Sequence, residues 1–224
     1  MRVALLSDFH VHGEESMAFA KKAIQLAVES KPEAIILAGD FLNNGAAFAL
    51  PLVTKALSPL ANATCPVLAI LGNHDGEVPQ NEIGRLLERS GVQLLLDEGT
   101  QIGEVTFLGF RDAIADRPNF RRFRRASPLP STVVLLHEPD YVAEIPEWAS
   151  IQLSGHSHGG QICLPFEVPV HCPAGGENYV AGFYPQAPVP IFVSKGVGTT
   201  GVDLRINCPP EINLLTLSGA ATVV

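Results

Sequence analysis

The chain has 224 residues, 46% of them hydrophobic and 17% charged, with a formal net charge of -8. That length and apolar share suit a single domain over residues 1–224 with a sizeable core, and they exclude a disordered or low-complexity chain. The acidic balance argues against nucleic acid as a general partner, because such binding depends on Lys and Arg neutralising phosphates.

The first apolar run, residues 3–6, leads into Ser7-Asp8 and is too short for a signal-peptide core or a membrane span, so a cytoplasmic protein is expected. Four more runs follow the same plan: 34–38 before Gly39-Asp40, 67–71 before Gly72-Asn73-His74-Asp75, 133–136 before His137, and 151–153 before Gly155-His156-Ser157-His158. Each reads as a buried strand that delivers a polar side chain at its C-terminal end. Between the first two runs, Met17, Ala20, Ile24, Ala27 and Val28 mark a helix over 15–30. A second helix is expected over 46–60, interrupted by Pro51, and a third over 81–90, stopped by Gly91. Residues 92–96 and 104–108 read as paired strands, and 161–164, 191–194 and 212–217 as later strands. Early alternation and late strands predict an α/β fold of two packed mixed β-sheets flanked by helices, a four-layer αββα sandwich. Cys65, Cys163, Cys172 and Cys208 form no C-x-x-C pair, so neither a structural zinc site nor a redox motif is expected.

Five of the seven His fall at these strand ends: His10, His74, His137, His156 and His158. Carboxylates beside them suit hard cations and can bridge, neutral imidazoles suit Mn, Fe, Co and Zn, and an Asn carbonyl adds an oxygen without charge. Two divalent cations about 3.5 to 4 Å apart can hold a hydroxide between them for in-line attack at phosphorus. The expected centre is therefore dinuclear, at strand C-terminal ends, with Mn²⁺ the first choice and Fe, Zn, Co or Ni as alternatives.

Asp8-Phe9-His10, Gly39-Asp40, Gly72-Asn73-His74-Asp75, His137 and Gly155-His156-Ser157-His158 resemble, in order, the five blocks of the calcineurin-like metallophosphoesterases. The resemblance implies that Asp8, His10 and His158 hold one metal, that Asn73, His137 and His156 hold the other, and that Asp40 bridges them. It further implies that His74, a non-ligand, contacts the substrate phosphate and protonates the leaving oxygen, with Asp75 orienting its ring. The implied activity is phosphodiester or pyrophosphate hydrolysis; the alternative is an idle scaffold of the same fold that binds proteins. His137-Glu138-Pro139-Asp140, the stretch 153–161, and Gly196-Val197-Gly198 followed by Arg205 and Pro210-Glu211-Ile212 are similar to a bacterial branch of predicted phosphohydrolases. Many members of that branch carry an N-terminal membrane anchor, and one related group cleaves UDP-2,3-diacylglucosamine. The run at 3–6 is not such an anchor.

Arg111, Arg117, Arg121, Arg122, Arg124 and Arg125 are six of the 15 basic residues, with Phe120 and Phe123 among them. One reading is a cap in which Arg121, Arg122, Arg124 and Arg125 gather a small anionic or lipid-linked phosphoester, or rest on an anionic membrane with the Phe rings inserted. The other is a solvated helix face with two Phe on the core. His12 and His171 fall outside the blocks; His12 reads as a surface imidazole and His171 as a candidate for the site rim. Arg205 is expected either at that rim or paired with Glu211.

Overall fold

The computed structural model describes residues 1–44, 46–124 and 131–218. Its strands are β1 (Arg2–Leu6), β2 (Ala34–Ala38), β3 (Val67–Ile70), β4 (Gln93–Leu94), β5 (Glu98–Ile102), β6 (Val105–Gly109) and β7 (Thr132–Leu135). They continue as β8 (Ile151–Ser154), β9 (Cys163–Leu164), β10 (Val168–Pro169), β11 (Gly182–Tyr184), β12 (Ile191–Val193) and β13 (Asn213–Thr216). The helices are α1 (Glu14–Glu29), α2 (Leu50–Leu57), α3 (Gln80–Arg89) and the four-residue α4 (Arg121–Arg124).

Two mixed sheets carry the fold. The first runs β13-β1-β2-β3-β4, parallel except for β13; the second runs β11-β12-β8-β7-β6-β5, with antiparallel strands at both edges. Alternate side chains of one strand serve two layers. Val3 and Leu5 of β1 join Ile36, Leu68, Phe107, Val133 and Leu135 between the sheets, while Ala4 and Leu6 face the helices. On that helical side Ala20, Ile24 and Ala27 of α1, Val53 of α2 and Ile83 and Leu87 of α3 are buried together. The outer face of the second sheet is covered more thinly, by the 3₁₀ turn at Pro139–Glu144, by α4 and by loops.

Three local expectations change. Pro51 lies in the first turn of α2, so it starts that helix after a 3₁₀ turn at Ala47–Ala49 and does not interrupt it. Residues 92–96 and 104–108 do not pair: β4 lies parallel to β3 in the first sheet, and β6 belongs to the second. The partner of β6 is the mostly exposed edge strand β5, whose polar sequence carries no apolar alternation. No helix among the described residues is long and apolar enough to cross a membrane.

Candidate metal centre

All seven side chains expected to bind metal come from turns that follow β1, β2, β3, β7 and β8, at the end of the molecule where both sheets release their parallel strands. Asp8, His10, Asp40 and His158 are buried with one potential donor atom each within 4.8 Å of the others, and Asp40 forms a second such group with His137 and His156. The Oδ2 of Asp40 lies 3.4 Å from His10 Nε2 and 3.2 Å from His137 Nε2, which places one carboxylate oxygen between the two groups. His10 Nε2 and His158 Nε2 stand 2.8 Å apart, with Asp8 Oδ1 3.5 Å from the latter. Asn73 Oδ1 completes the second group, 3.1 Å from His156 Nδ1.

Backbone carbonyls fix which ring nitrogens face the centre. His137 donates Nδ1–H to Ala38 O at 2.7 Å, and His156 donates Nε2–H to Ala174 O at 2.9 Å, leaving His137 Nε2 and His156 Nδ1 with lone pairs turned inward. The backbone is equally specialised. Asp8, His10, Asp40, His156 and His158 all have positive φ, between 46° and 70°, a region that side-chain-bearing residues rarely occupy and that concentrates at functional sites. Gly39 and Gly155 make room for them: a Cβ on Gly39 would lie 2.8 Å from His137 Nδ1, and one on Gly155 2.6 Å from Asp8 Oδ2.

The electrostatics suit cations. Asp8 Oδ2 and His137 Nε2 are buried without a hydrogen-bond partner, so the protein itself leaves two donor atoms of the cluster unsatisfied. Burial lowers the pKa of His10 to about 3 and, with help from Arg205, that of His158 to about 3, which keeps both rings neutral, as metal ligation requires. Burial opposes charge on Asp40 and His137 too, but their mutual attraction wins, holding Asp40 well below the usual carboxylate range and His137 well above the usual imidazole range. The carboxylates thus draw positive charge to this point.

His74 lies beside the cluster, its backbone N–H donating to Asp40 Oδ1 at 3.0 Å and its ring in edge contact with His10 at 4.7 Å between centroids. Asp75 does not orient that ring. Its oxygens accept from the backbone N–H groups of Phe41, Leu42 and Gly72 at 2.9 to 3.1 Å, and His74 Nδ1 is left without a partner. Asp75 is a brace between the β2 and β3 turns, and burial together with the Asp40 charge raises its pKa to about 7.

A cavity of about 340 Å³ opens on the cluster, lined by Asp40, Asn73, His74, His156 and His158 on one side and by Ile162, Val170 and Val202 on another. His171 lines it as well. Neither Arg121 nor Arg122 does, which corrects their expected place at the substrate. Phe120 and Phe123 turn inward onto Phe110, at 5.1 and 5.6 Å between centroids, and so seat α4 on the outer face of the second sheet. Arg125 and the side chain of Arg124 lie outside the described residues. Arg111 bonds Gln80 and Asp116, and His12 bonds His10 O. Two residues matter more than their sequence context suggests. Arg205 donates to the carbonyls of His158, Lys195 and Gly198 at 2.8 to 3.0 Å, bracing the loop behind His158, and Gln161 holds Thr200 and Val202 with its amide.

A calcineurin-like phosphoesterase model matches residues 1–166. The chain belongs to the calcineurin-like phosphoesterase family. It is a metal-dependent phosphoric ester hydrolase. Among its relatives in the family, the uncharacterized metallophosphoesterase YkuE of Bacillus subtilis (strain 168) is 32% identical over 96% of this chain and 78% of that protein. Phosphodiesterase YaeI of Escherichia coli (strain K12) is 31% identical over 96% and 82%. The fold of these phosphoesterases is shared with TT1561 of Thermus thermophilus, whose crystal structure aligns with a TM-score of 0.61 and 12% identity over 88% of this chain and 89% of that one.

Proposed function

We propose that the chain hydrolyses a phosphodiester or pyrophosphate at a two-cation centre in which Asp8, His10 and His158 hold one ion, Asn73, His137 and His156 hold the other, and Asp40 is shared. The observation that supports this reading best is the position of Asp40 Oδ2 between His10 and His137. Two divalent cations there would polarise the phosphoryl oxygens and activate a water for in-line displacement. The mixed N and O donors favour Mn²⁺, with Fe, Zn, Co and Ni also accommodated.

The chain's own residues do the rest. His74, fixed through its backbone N–H to Asp40, donates a proton to the leaving oxygen from the cavity wall. His137 and His156 are held in one tautomer by Ala38 O and Ala174 O, so the centre needs no reorganisation as charge develops. The substrate read here is a small anionic or lipid-linked phosphoester, since the cavity offers apolar walls opposite the histidines.

The test is hydrolysis of an aryl phosphodiester with Mn²⁺ by wild type and His74→Ala, with bound metal measured for both. The expected result is a fall in kcat of about 10²- to 10⁴-fold at unchanged metal content. Equal rates would remove His74 from the reaction, and two bound metals with no hydrolysis of any phosphoester would favour the scaffold.

A further inference from the structure

Just past the ligand turn, β9 and β10 form a two-stranded ribbon with Leu164 opposite Val168 and Cys163 opposite Pro169. Val170 N–H donates to Ile162 O at 3.0 Å and carries the pairing one step further. Side chains alternate across such a ribbon, so Cys163 and Pro169 share one face while Ile162, Leu164, Val168 and Val170 share the other. The first face rests on the ligand turn: the Cys163 thiol donates to Gly159 O at 3.2 Å, and Pro169 fills the space a Cβ on Gly160 would need.

The second face is apolar at every position, although a ribbon packed on one side ordinarily turns polar groups to water. Leu164 is 56% exposed, Val168 50% and Val170 62%. Ile162 and Val170 also line the cavity over the metal centre, so this apolar face starts inside the cavity and runs outward. At its far end Phe166 is 98% exposed, on a turn where both Phe166 and Glu167 have positive φ. A bulky side chain is costly in that conformation, and here it holds an aromatic ring away from the protein. The charge at the tip is neutralised within the chain, because Glu167 bonds Lys195 Nζ at 2.9 Å.

We propose that this ribbon is a membrane-docking surface: Phe166, Leu164 and Val168 enter the apolar layer of a bilayer, and a lipid-borne phosphoester passes along Ile162 and Val170 to the metal centre. The substrate route rests on the hydrolase reading above. A lipid surface fits this place better than a second protein chain does. A protein seated on the ribbon would cover the cavity that Val170 and Val202 line, whereas a bilayer carrying the substrate delivers it there. With Glu167 paired to Lys195, attachment is by apolar insertion and needs no anionic lipid.

The experiment uses the full chain loaded with Mn²⁺ and vesicles of phosphatidylcholine, with and without phosphatidylglycerol, at low and high salt. Wild type should sediment with both vesicle types independently of salt. Phe166→Asp and the double change Leu164→Ser with Val168→Ser should each weaken vesicle affinity about tenfold or more. Phe166→Trp should keep binding and show an indole emission that shifts to the blue on vesicle addition. Hydrolysis of a soluble aryl phosphodiester should be the same in all of them, which also certifies their folding. Absence of vesicle binding by wild type, or equal binding by Phe166→Asp, overturns the docking surface. A wild-type dimer that Phe166→Asp dissolves overturns it in favour of a second copy. Loss of soluble-substrate hydrolysis by wild type defeats the hydrolase reading alone, and vesicle failure with hydrolysis intact defeats docking alone.

Discussion

The ligand turn at 155–160 and the ribbon at 163–169 are adjacent in sequence and packed on each other, yet they break the usual rules of burial in opposite directions. The turn takes imidazoles and a serine into the interior, where each polar atom needs a partner. The ribbon puts leucine, phenylalanine and valine into solvent, where each apolar surface lacks one. Buried polar groups that converge on one another describe a site the protein has built around something small and charged. Exposed apolar groups that share one face describe a surface shaped for something large and oily. The two regions are joined through Gly159, Gly160 and Cys163, so one presents what the other processes.

Variants should separate the two regions, and the largest effect belongs to the cluster. Asp40→Ala removes the shared carboxylate; soluble-substrate hydrolysis should fall by on the order of 10³-fold or more as metal content drops, since the cations contribute several kcal/mol. Vesicle binding by this variant should persist, and its loss would show that the ribbon depends on the metals. Gly155→Ala comes next. Its Cβ would press on Asp8 Oδ2, and metal affinity measured by competition with a chelator should weaken about 10- to 100-fold.

Acid should then affect the metal-free protein through His10 and His158. Their folded pKa values of about 3 lie below the unfolded value of 6.5, so between those limits the unfolded chain binds more protons and stability falls with falling pH. His137, raised by Asp40, acts in the opposite sense. Denaturant melts of the chelated protein at pH 7 and pH 5 measure the balance, and His10→Gln should flatten the slope. The smallest effects belong to α4. Phe123→Ala should cost about 1 to 2 kcal/mol by uncovering Phe110, whereas Arg121→Ala with Arg122→Ala should change stability by no more than about 0.5 kcal/mol and leave hydrolysis unchanged. A raised KM in that double variant would return the arginines to the substrate.

The cluster was legible in the sequence because its signal is local: each donor directly follows an apolar run, and the runs became β1, β2, β3, β7 and β8. The ribbon was not legible. Nothing in residues 162–170 says which of the alternating faces the rest of the chain will cover, and the composition there is ordinary beside the arginines at 111–125. The same ambiguity misled at Phe120 and Phe123, whose rings turned to Phe110 when basic neighbours suggested solvent. Strand β5 escaped because an exposed edge strand needs no apolar period. Asp75 escaped because a carboxylate next to a histidine in sequence can still spend both oxygens on backbone amides.

His10 and His158 are 148 positions apart in the chain, one after a strand of each sheet, and they meet only when both sheets are in place. A cation held between them would clasp the sheets together, closing a very long loop at an entropic cost that grows only by about 0.6 kcal/mol per doubling of length. The unfolded chain cannot offer this set of donors at one point, so free metal at 100 times its dissociation constant would add about 2.7 kcal/mol to the folded state. The supply of metal around the protein would therefore govern how long each molecule survives as well as how fast it works.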